Sequence, residues 1–401
     1  MSRKTSAPQR APGGVREVVA RHDTIVCAGS GGVGKTTTSA AIALWGAMQG
    51  RRTVVLTIDP ARRLADSLGL RLSGGGEVEV SEELLRPHGI RLKAKLSAKM
   101  LDQKGAWDAL VERHAPSKEV RDRILQNRFY QHLSQSFAGS HEYMAVEELC
   151  ALQESRRYDL IVVDTPPSRH ALDFLEAPRR MGDFLDRRIV KWFVRPYVAA
   201  GWTTMRLMNR TAGFVLRKLE DATGVGTLVE ISDFFNGMST MFDGFAERIE
   251  RVYRALRGKG TAFVLVSSPE ELALEEAEFL TDRMNQLGMP LRAVVLNRIH
   301  AEFTEPISLR DFPHGEIRAS DAERVEEVLR RSGIEPKGLT RELARCFADY
   351  QALARGDALR VEQFVSGLRK GIPVAQVPDF STDLHDAGAL SRMHPFLFDA
   401  G

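Results

Sequence analysis

Gly29-Ser30-Gly31-Gly32-Val33-Gly34-Lys35-Thr36 is the stretch that decides the fold. It fills every fixed position of the G-x-x-x-x-G-K-[ST] template for a phosphate-binding loop. A short β-prone run, Thr24 to Ala28, precedes it, and a helix-prone run, Lys35 to Gln49, follows. Glycines let consecutive backbone N–H groups turn inward around phosphate oxygens, and the helix N-terminus adds its positive end. Gly29, Ser30, Gly31, Gly32, Val33, Gly34, Lys35, Thr36 and Thr37 are therefore expected to line a nucleotide. Lys35 is expected to reach its β- and γ-phosphates, and the Thr36 hydroxyl to meet Mg²⁺.

Working outward, Thr53 to Ile58, Leu160 to Val163, Ala262 to Val266, Ala293 to Leu296 and Val374 to Val377 are short apolar runs. Such runs read as buried parallel strands. Helical patterns between them imply right-handed crossovers and a doubly wound sheet. Two stretches break the rhythm. Lys99 to about Gln153 is long, polar and helical. About Arg179 to Arg257 has no strand signal and carries an apolar stripe that includes Leu228, Phe234, Met238, Met241, Phe245, Ile249, Val252 and Leu256. That stripe reads as one face of a long helix. An earlier series, with Trp192, Phe193, Met205 and Met208, adds a second apolar set. The expected class is α/β: a P-loop fold with a doubly wound, mostly parallel sheet and an inserted α-helical subdomain.

The expected division is a disordered basic tail over 1–21 and nucleotide-binding parts over 22–98, 154–178 and 259–393. Helical segments fill 99–153 and 179–258, and a C-terminal tail covers 394–401. Ser73 to Gly76 reads as a surface turn.

Composition bounds the function. The 401 residues are 43% hydrophobic and 27% charged, as in ordinary globular proteins. A net charge of +3 is too small to argue for nucleic acid. No apolar run reaches membrane-spanning length, and no h-region marks a signal peptide. The three cysteines, Cys27, Cys150 and Cys346, are dispersed, which suits a reducing cytoplasm. A peripheral membrane location is the alternative.

Two carboxylates follow apolar strands. Asp164 ends Leu160-Ile161-Val162-Val163-Asp164, where P-loop proteins hold Mg²⁺. Asp59 follows Thr53 to Ile58 in Asp59-Pro60-Ala61. It could orient or deprotonate a water at the carboxyl end of the sheet, cap a helix starting near Pro60, or do both.

The P-loop, Asp59-Pro60-Ala61 and the run Asp164-Thr165-Pro166-Pro167-Ser168-Arg169-His170-Ala171-Leu172-Asp173-Phe174-Leu175 together resemble the ArsA/GET-type ATPases. These lie within the MinD-like class with a deviant P-loop. Gly139-Ser140-His141-Glu142-Tyr143-Met144-Ala145 resembles a stretch of bacterial members. The resemblance implies an ATP-hydrolysing, dimeric switch with ATP and Mg²⁺ as cofactors, Asp59 and Lys35 as catalytic residues, and Thr36 and Asp164 at the metal. It makes Thr165 to His170 switch II, Asn297 an adenine contact, and Pro378-Asp379 the loop on the other side of the base. It implies a homodimer, or a heterodimer with a paralogue, and a helical subdomain that handles a hydrophobic client or membrane partner.

The departures are equally definite. The family's signature lysine, which reaches the partner's nucleotide, is replaced by Ser30. That leaves Arg62, Arg63 and Arg169 as candidates for compensation and opens one alternative, a weakly or non-hydrolysing regulatory subunit working with a lysine-bearing paralogue; the family resemblance itself gives another, an arsenite-pump subunit. No Cys-x-x-Cys pair is present, so no structural zinc is expected.

Overall fold

A computed structural model describes residues 14–58, 63–70, 76–136, 140–166, 176, 234, 242–302, 319–336, 338–382, 384 and 386–399. The strands are β1 (Thr24–Ala28), β2 (Thr53–Thr57), β3 (Glu77–Glu79), β4 (Leu96–Met100), β5 (Leu160–Asp164), β6 (Thr261–Ser267), β7 (Leu291–Ile299) and β8 (Val374–Pro378). The helices are α1 (Gly14–Arg21), α2 (Lys35–Met48), α3 (Arg63–Leu68), α4 (Glu82–Leu85), α5 (Gln103–His114), α6 (Lys118–Gln126), α7 (Arg128–Ser136), α8 (Ser140–Ser155), α9 (Phe242–Arg257), α10 (Glu271–Leu287), α11 (Ala319–Arg331), α12 (Leu339–Gly367), α13 (Ala387–Ser391) and α14 (His394–Phe398).

The strands form one eight-stranded sheet in the order β3-β4-β2-β5-β1-β6-β7-β8. All pairings are parallel except β3 with β4. The six anticipated strands are all present. Strand β4 and its antiparallel neighbour β3 are additions. In β3 the sequence Glu-Val-Glu is too polar to announce a strand, and its two glutamates are exposed.

The strands alternate between two apolar layers, as period-two geometry requires. Ile25, Cys27, Val55, Val162, Val264 and Val295 face one layer, with α2 and the C-terminal helices. Val26, Leu56, Val163, Phe263 and Val294 face the other, with α8, α9, α10 and α12. Burial on both faces explains why the strands read as unbroken apolar runs.

Three boundaries need correction. Within the expected basic tail, residues 14–21 form α1, because Val15, Val18 and Val19 place an apolar stripe at helical spacing and are buried. The expected C-terminal tail contains α14. There Leu397 and Phe398 are buried, and Phe398 stacks on Trp45 of α2 with ring centroids 4.4 Å apart. Lys99 and Met100 close β4, and the helical stretch begins only at Gln103, capped by the Asp102 carboxylate.

Most of the apolar stripe over 179–257, including Met205, Met208, Met238 and Met241, lies outside the described residues. The parts that are described pack as core. Val252 and Leu256 of α9 are buried against the sheet. Phe234 is buried against the rings of Phe129 and Tyr130. The turn proposed at Ser73 to Gly76 also falls largely outside.

Candidate nucleotide site

The loop between β1 and α2 sits at the carboxyl edge of the sheet, where β1 has β5 on one side and β6 on the other. Crevices at such edges are where open α/β sheets bind ligands. Gly29, Gly32 and Gly34 have φ of 159°, 80° and 93°. The last two lie in the left-handed region that glycine enters without strain. Space is equally decisive. A Cβ on Gly29 would stand 2.0 Å from the Val266 carbonyl oxygen, and one on Gly34 would stand 2.2 Å from Asn297 Nδ2.

Helix α2 begins at Gly34 with no side-chain cap and no acidic residue in its first turn. Its leading N–H groups and positive dipole end are thus turned to the loop rather than satisfied by a side chain. Lys35 is 5% exposed, and its Nζ donates to the Ser30 carbonyl at 2.6 Å, so the ammonium is folded into the loop. Ser30 itself is buried, with its hydroxyl enclosed.

Asp164 is fully buried at the tip of β5. Its Oδ2 accepts from the Thr36 hydroxyl at 2.9 Å and from the Thr57 hydroxyl at 3.0 Å. The sheet register imposes this meeting, because Asp164 pairs with Cys27 of β1 and with Thr57 of β2. Thr165 then fastens the chain, its hydroxyl donating to the Cys27 carbonyl at 2.7 Å. A carboxylate flanked by two hydroxyls is a set of hard oxygen donors, the kind that suits Mg²⁺. With the glycine cradle beside it, the residues present fit a metal–nucleotide pair.

Asn297 is buried and donates through Nδ2 to the Val33 carbonyl at 2.9 Å, so it abuts the loop from β7. The Asp379 N–H donates to the Ile299 carbonyl at 3.0 Å, tying the end of β8 to the end of β7. A cavity of about 180 Å³ at the loop is lined by Gly32, Gly34, Lys35, Thr36, Thr37, Arg63, Ser67, Thr165 and Arg298. A larger cavity of about 740 Å³ lies at the β7–β8 end, and Ile299, Val361, Pro378 and Phe396 are among its walls.

Asp59, Pro60, Arg62 and the run from Pro167 through Leu175, with Arg169, lie outside the described residues. Of the arginines considered for compensation, Arg63 lines the loop cavity. Sequence reasoning missed Thr57 and Arg298. A threonine inside an apolar strand gives no signal until the register sets it opposite Asp164, and Arg298 reads as one more surface arginine. His141 gains a definite place: its Nε2 lies 2.6 Å from the carbonyl of Ile58, the residue preceding Asp59, and its Nδ1 lies 3.1 Å from Gln103 Oε1.

The cysteines separate. Cys27 packs in one apolar layer and Cys150 in the other, on opposite faces of the sheet, while Cys346 is exposed. Burial pushes both buried thiols up to about 12.

A parallel sheet with a glycine loop, lysine and threonine after β1 and a buried aspartate ending the neighbouring strand defines a P-loop nucleotide-binding protein. The sequence model of the anion-transporting ATPase family matches residues 22–311, more than half of the chain. The chain belongs to that family, and the activity that defines the family is ATP hydrolysis. It is similar to the ATPase GET3 of Malassezia globosa, at 26% identity over 69% of this chain and 72% of that protein. It is also similar to the putative arsenical pump-driving ATPase 2 of Aquifex aeolicus, at 26% identity over 68% and 79%. The ATPase GET3C of Arabidopsis thaliana is 25% identical over 74% and 71%. Among the described residues no helix is long and apolar enough to cross a membrane.

Proposed function

We propose that the chain is a switch ATPase that takes ATP with Mg²⁺ in the glycine cradle and works as a dimer. The observation that carries this reading is the contact between Thr36 and Asp164 at the mouth of the loop. Both residues would hold the cation, with Thr57 fixing the carboxylate. When bound, the cation neutralises charge on the β- and γ-phosphate oxygens.

The chain's own residues supply the rest. The backbone N–H groups from Gly29 to Thr37 cradle phosphate oxygens. Lys35 leaves the Ser30 carbonyl for the β- and γ-phosphates. Asp59 orients the attacking water in line with the γ-phosphate. Asn297 and the Pro378-Asp379 loop flank the adenine, a role supported by the bonds that join them to Val33 and Ile299. The division into nucleotide-binding parts and a helical subdomain over 179–258 completes the reading, with the helical part handling a hydrophobic client or membrane partner.

The test separates binding from turnover. Lys35→Ala should abolish ATP binding or turnover. Asp59→Asn should bind ATP yet release phosphate at least about 100-fold more slowly. Full turnover in Asp59→Asn would remove Asp59 from the mechanism.

Ser30 favours one second reading. Its buried, neutral hydroxyl supplies no cation to a partner's nucleotide. In that reading the chain hydrolyses ATP slowly alone and faster when mixed with a lysine-bearing paralogue. The placement of Cys27 and Cys150 on opposite faces of the sheet argues against an arsenite site built from converging thiols.

A further inference from the structure

In a regular strand, Asn297 and Arg298 would project to opposite faces of the sheet. Here the pairing of β7 with β8 shifts register between Leu296 and Ile299. Arg298 takes φ of 61°, one of two positive values at non-glycine residues among those described. Irregularities of this kind re-aim a side chain. The outcome is that Asn297 bonds to the phosphate loop while Arg298 lines the cavity formed by Gly32, Gly34, Lys35, Thr36 and Thr37.

The position of Arg298 is held from both ends. On one side Asn297 is fixed to the Val33 carbonyl, and on the other Ile299 accepts from the Asp379 N–H. A long, branched cationic residue is an unfavourable choice for the left-handed region, where glycine or asparagine is easier. Such strain gathers at ligand sites. Among the described residues no carboxylate forms an ion pair with Arg298. A guanidinium presents planar, paired donors that match phosphate oxygens.

We propose that Arg298 contacts the polyphosphate of the nucleotide bound in its own chain, adding the second cation that the neutral Ser30 does not bring. This rests on the nucleotide reading given above. It differs from the trans-acting lysine in its source, because the charge comes from the β7 bulge of the same subunit.

The test uses the full chain and three variants. Arg298→Asn removes the charge and keeps a residue that tolerates the left-handed backbone, Arg298→Lys keeps the charge, and Lys35→Ala controls for the site itself. Affinities for ATP, ADP and adenosine are measured by calorimetry or competition. Arg298→Asn should weaken ATP and ADP about 10-fold or more, as expected for loss of a charge-assisted contact, and leave adenosine within about 2-fold. Arg298→Lys should recover part of that loss, and urea unfolding of Arg298→Asn should match or exceed wild type. Unchanged ATP affinity in Arg298→Asn, or an equal loss for adenosine, overturns the proposal. If Lys35→Ala loses ATP while Arg298→Asn does not, only Arg298 is refuted. If wild type fails to bind ATP, the nucleotide reading falls and this proposal with it.

Discussion

Thr57 and Asp164 stand opposite each other in the parallel register of β2 and β5, and the Thr57 hydroxyl donates to Asp164 Oδ2 at 3.0 Å. The same oxygen accepts from Thr36, the last residue of the phosphate loop. One fully buried carboxylate thus joins the two strands to the loop. Replacing Thr57 by valine keeps the shape and removes one donor from a buried charge. The expected cost is about 1–3 kcal/mol, read from urea unfolding. ATPase activity should also need more Mg²⁺ for half-maximal rate, since Asp164 loses its second anchor.

Gly32 and Gly34 offer a paired test of strain against space. Both have positive φ, but a Cβ on Gly32 meets nothing within 4 Å, whereas one on Gly34 meets Asn297 Nδ2 at 2.2 Å. Gly32→Ala should cost only the left-handed penalty of about 1–2 kcal/mol. Gly34→Ala should cost more and displace Asn297 from Val33, so nucleotide affinity should fall further than in Gly32→Ala. Chemical unfolding together with a nucleotide titration of both variants checks the ranking.

Thiol accessibility bears on cargo. Cys346 is exposed, while Cys27 and Cys150 are buried with their pKa pushed up to about 12. A thiolate is the reactive form. An aromatic disulfide reagent at pH 8 should therefore label Cys346 promptly in native protein and reach Cys27 and Cys150 only on denaturation. Arsenite should leave the labelling unchanged. Fast native labelling of either buried thiol would reopen the arsenite reading.

Asp159 is one traceable source of acid sensitivity. Asp159 accepts from the backbone N–H and the guanidinium of Arg52, which holds its pKa down to about 2 from 3.8. A carboxylate depressed on folding adds stability above its unfolded value and loses it as pH falls through the folded value. The contribution should thus be complete above about pH 4 and fade towards pH 2. Both side chains are about half exposed, so solvent screening keeps the contribution of the pair small. Stability to urea of Asp159→Asn should lie below wild type at pH 6, and the gap should close as pH falls through about 2.

Much of the fold was legible because the signals were local. The glycine loop, the six apolar strands and Asp164 each announce themselves within a few residues. What escaped reading was weak in sequence or masked by composition. Glu77–Glu79 forms a strand only because β4 offers it an edge. The basic residues around α1 concealed the stripe of Val15, Val18 and Val19 that binds it to the core. The short run His394–Phe398 gains its order from stacking on Trp45.

The candidate site divides along the same line. Gly29 to Thr36 needs no partner to be recognised, because backbone N–H groups turned inward and a helix N-terminus are properties of that stretch alone. Family membership follows from it together with the other motifs. Thr57 gains its meaning from strand register, and Arg298 from a bulge and a left-handed backbone at the end of β7. These depend on contacts between segments far apart in the chain, Thr57 with Asp164 and Leu296 with Gln376 among them. Periodicity along one segment carries no information about which residue of another segment will lie beside it. Only the folded sheet brings Arg298 to the cavity at the phosphate loop.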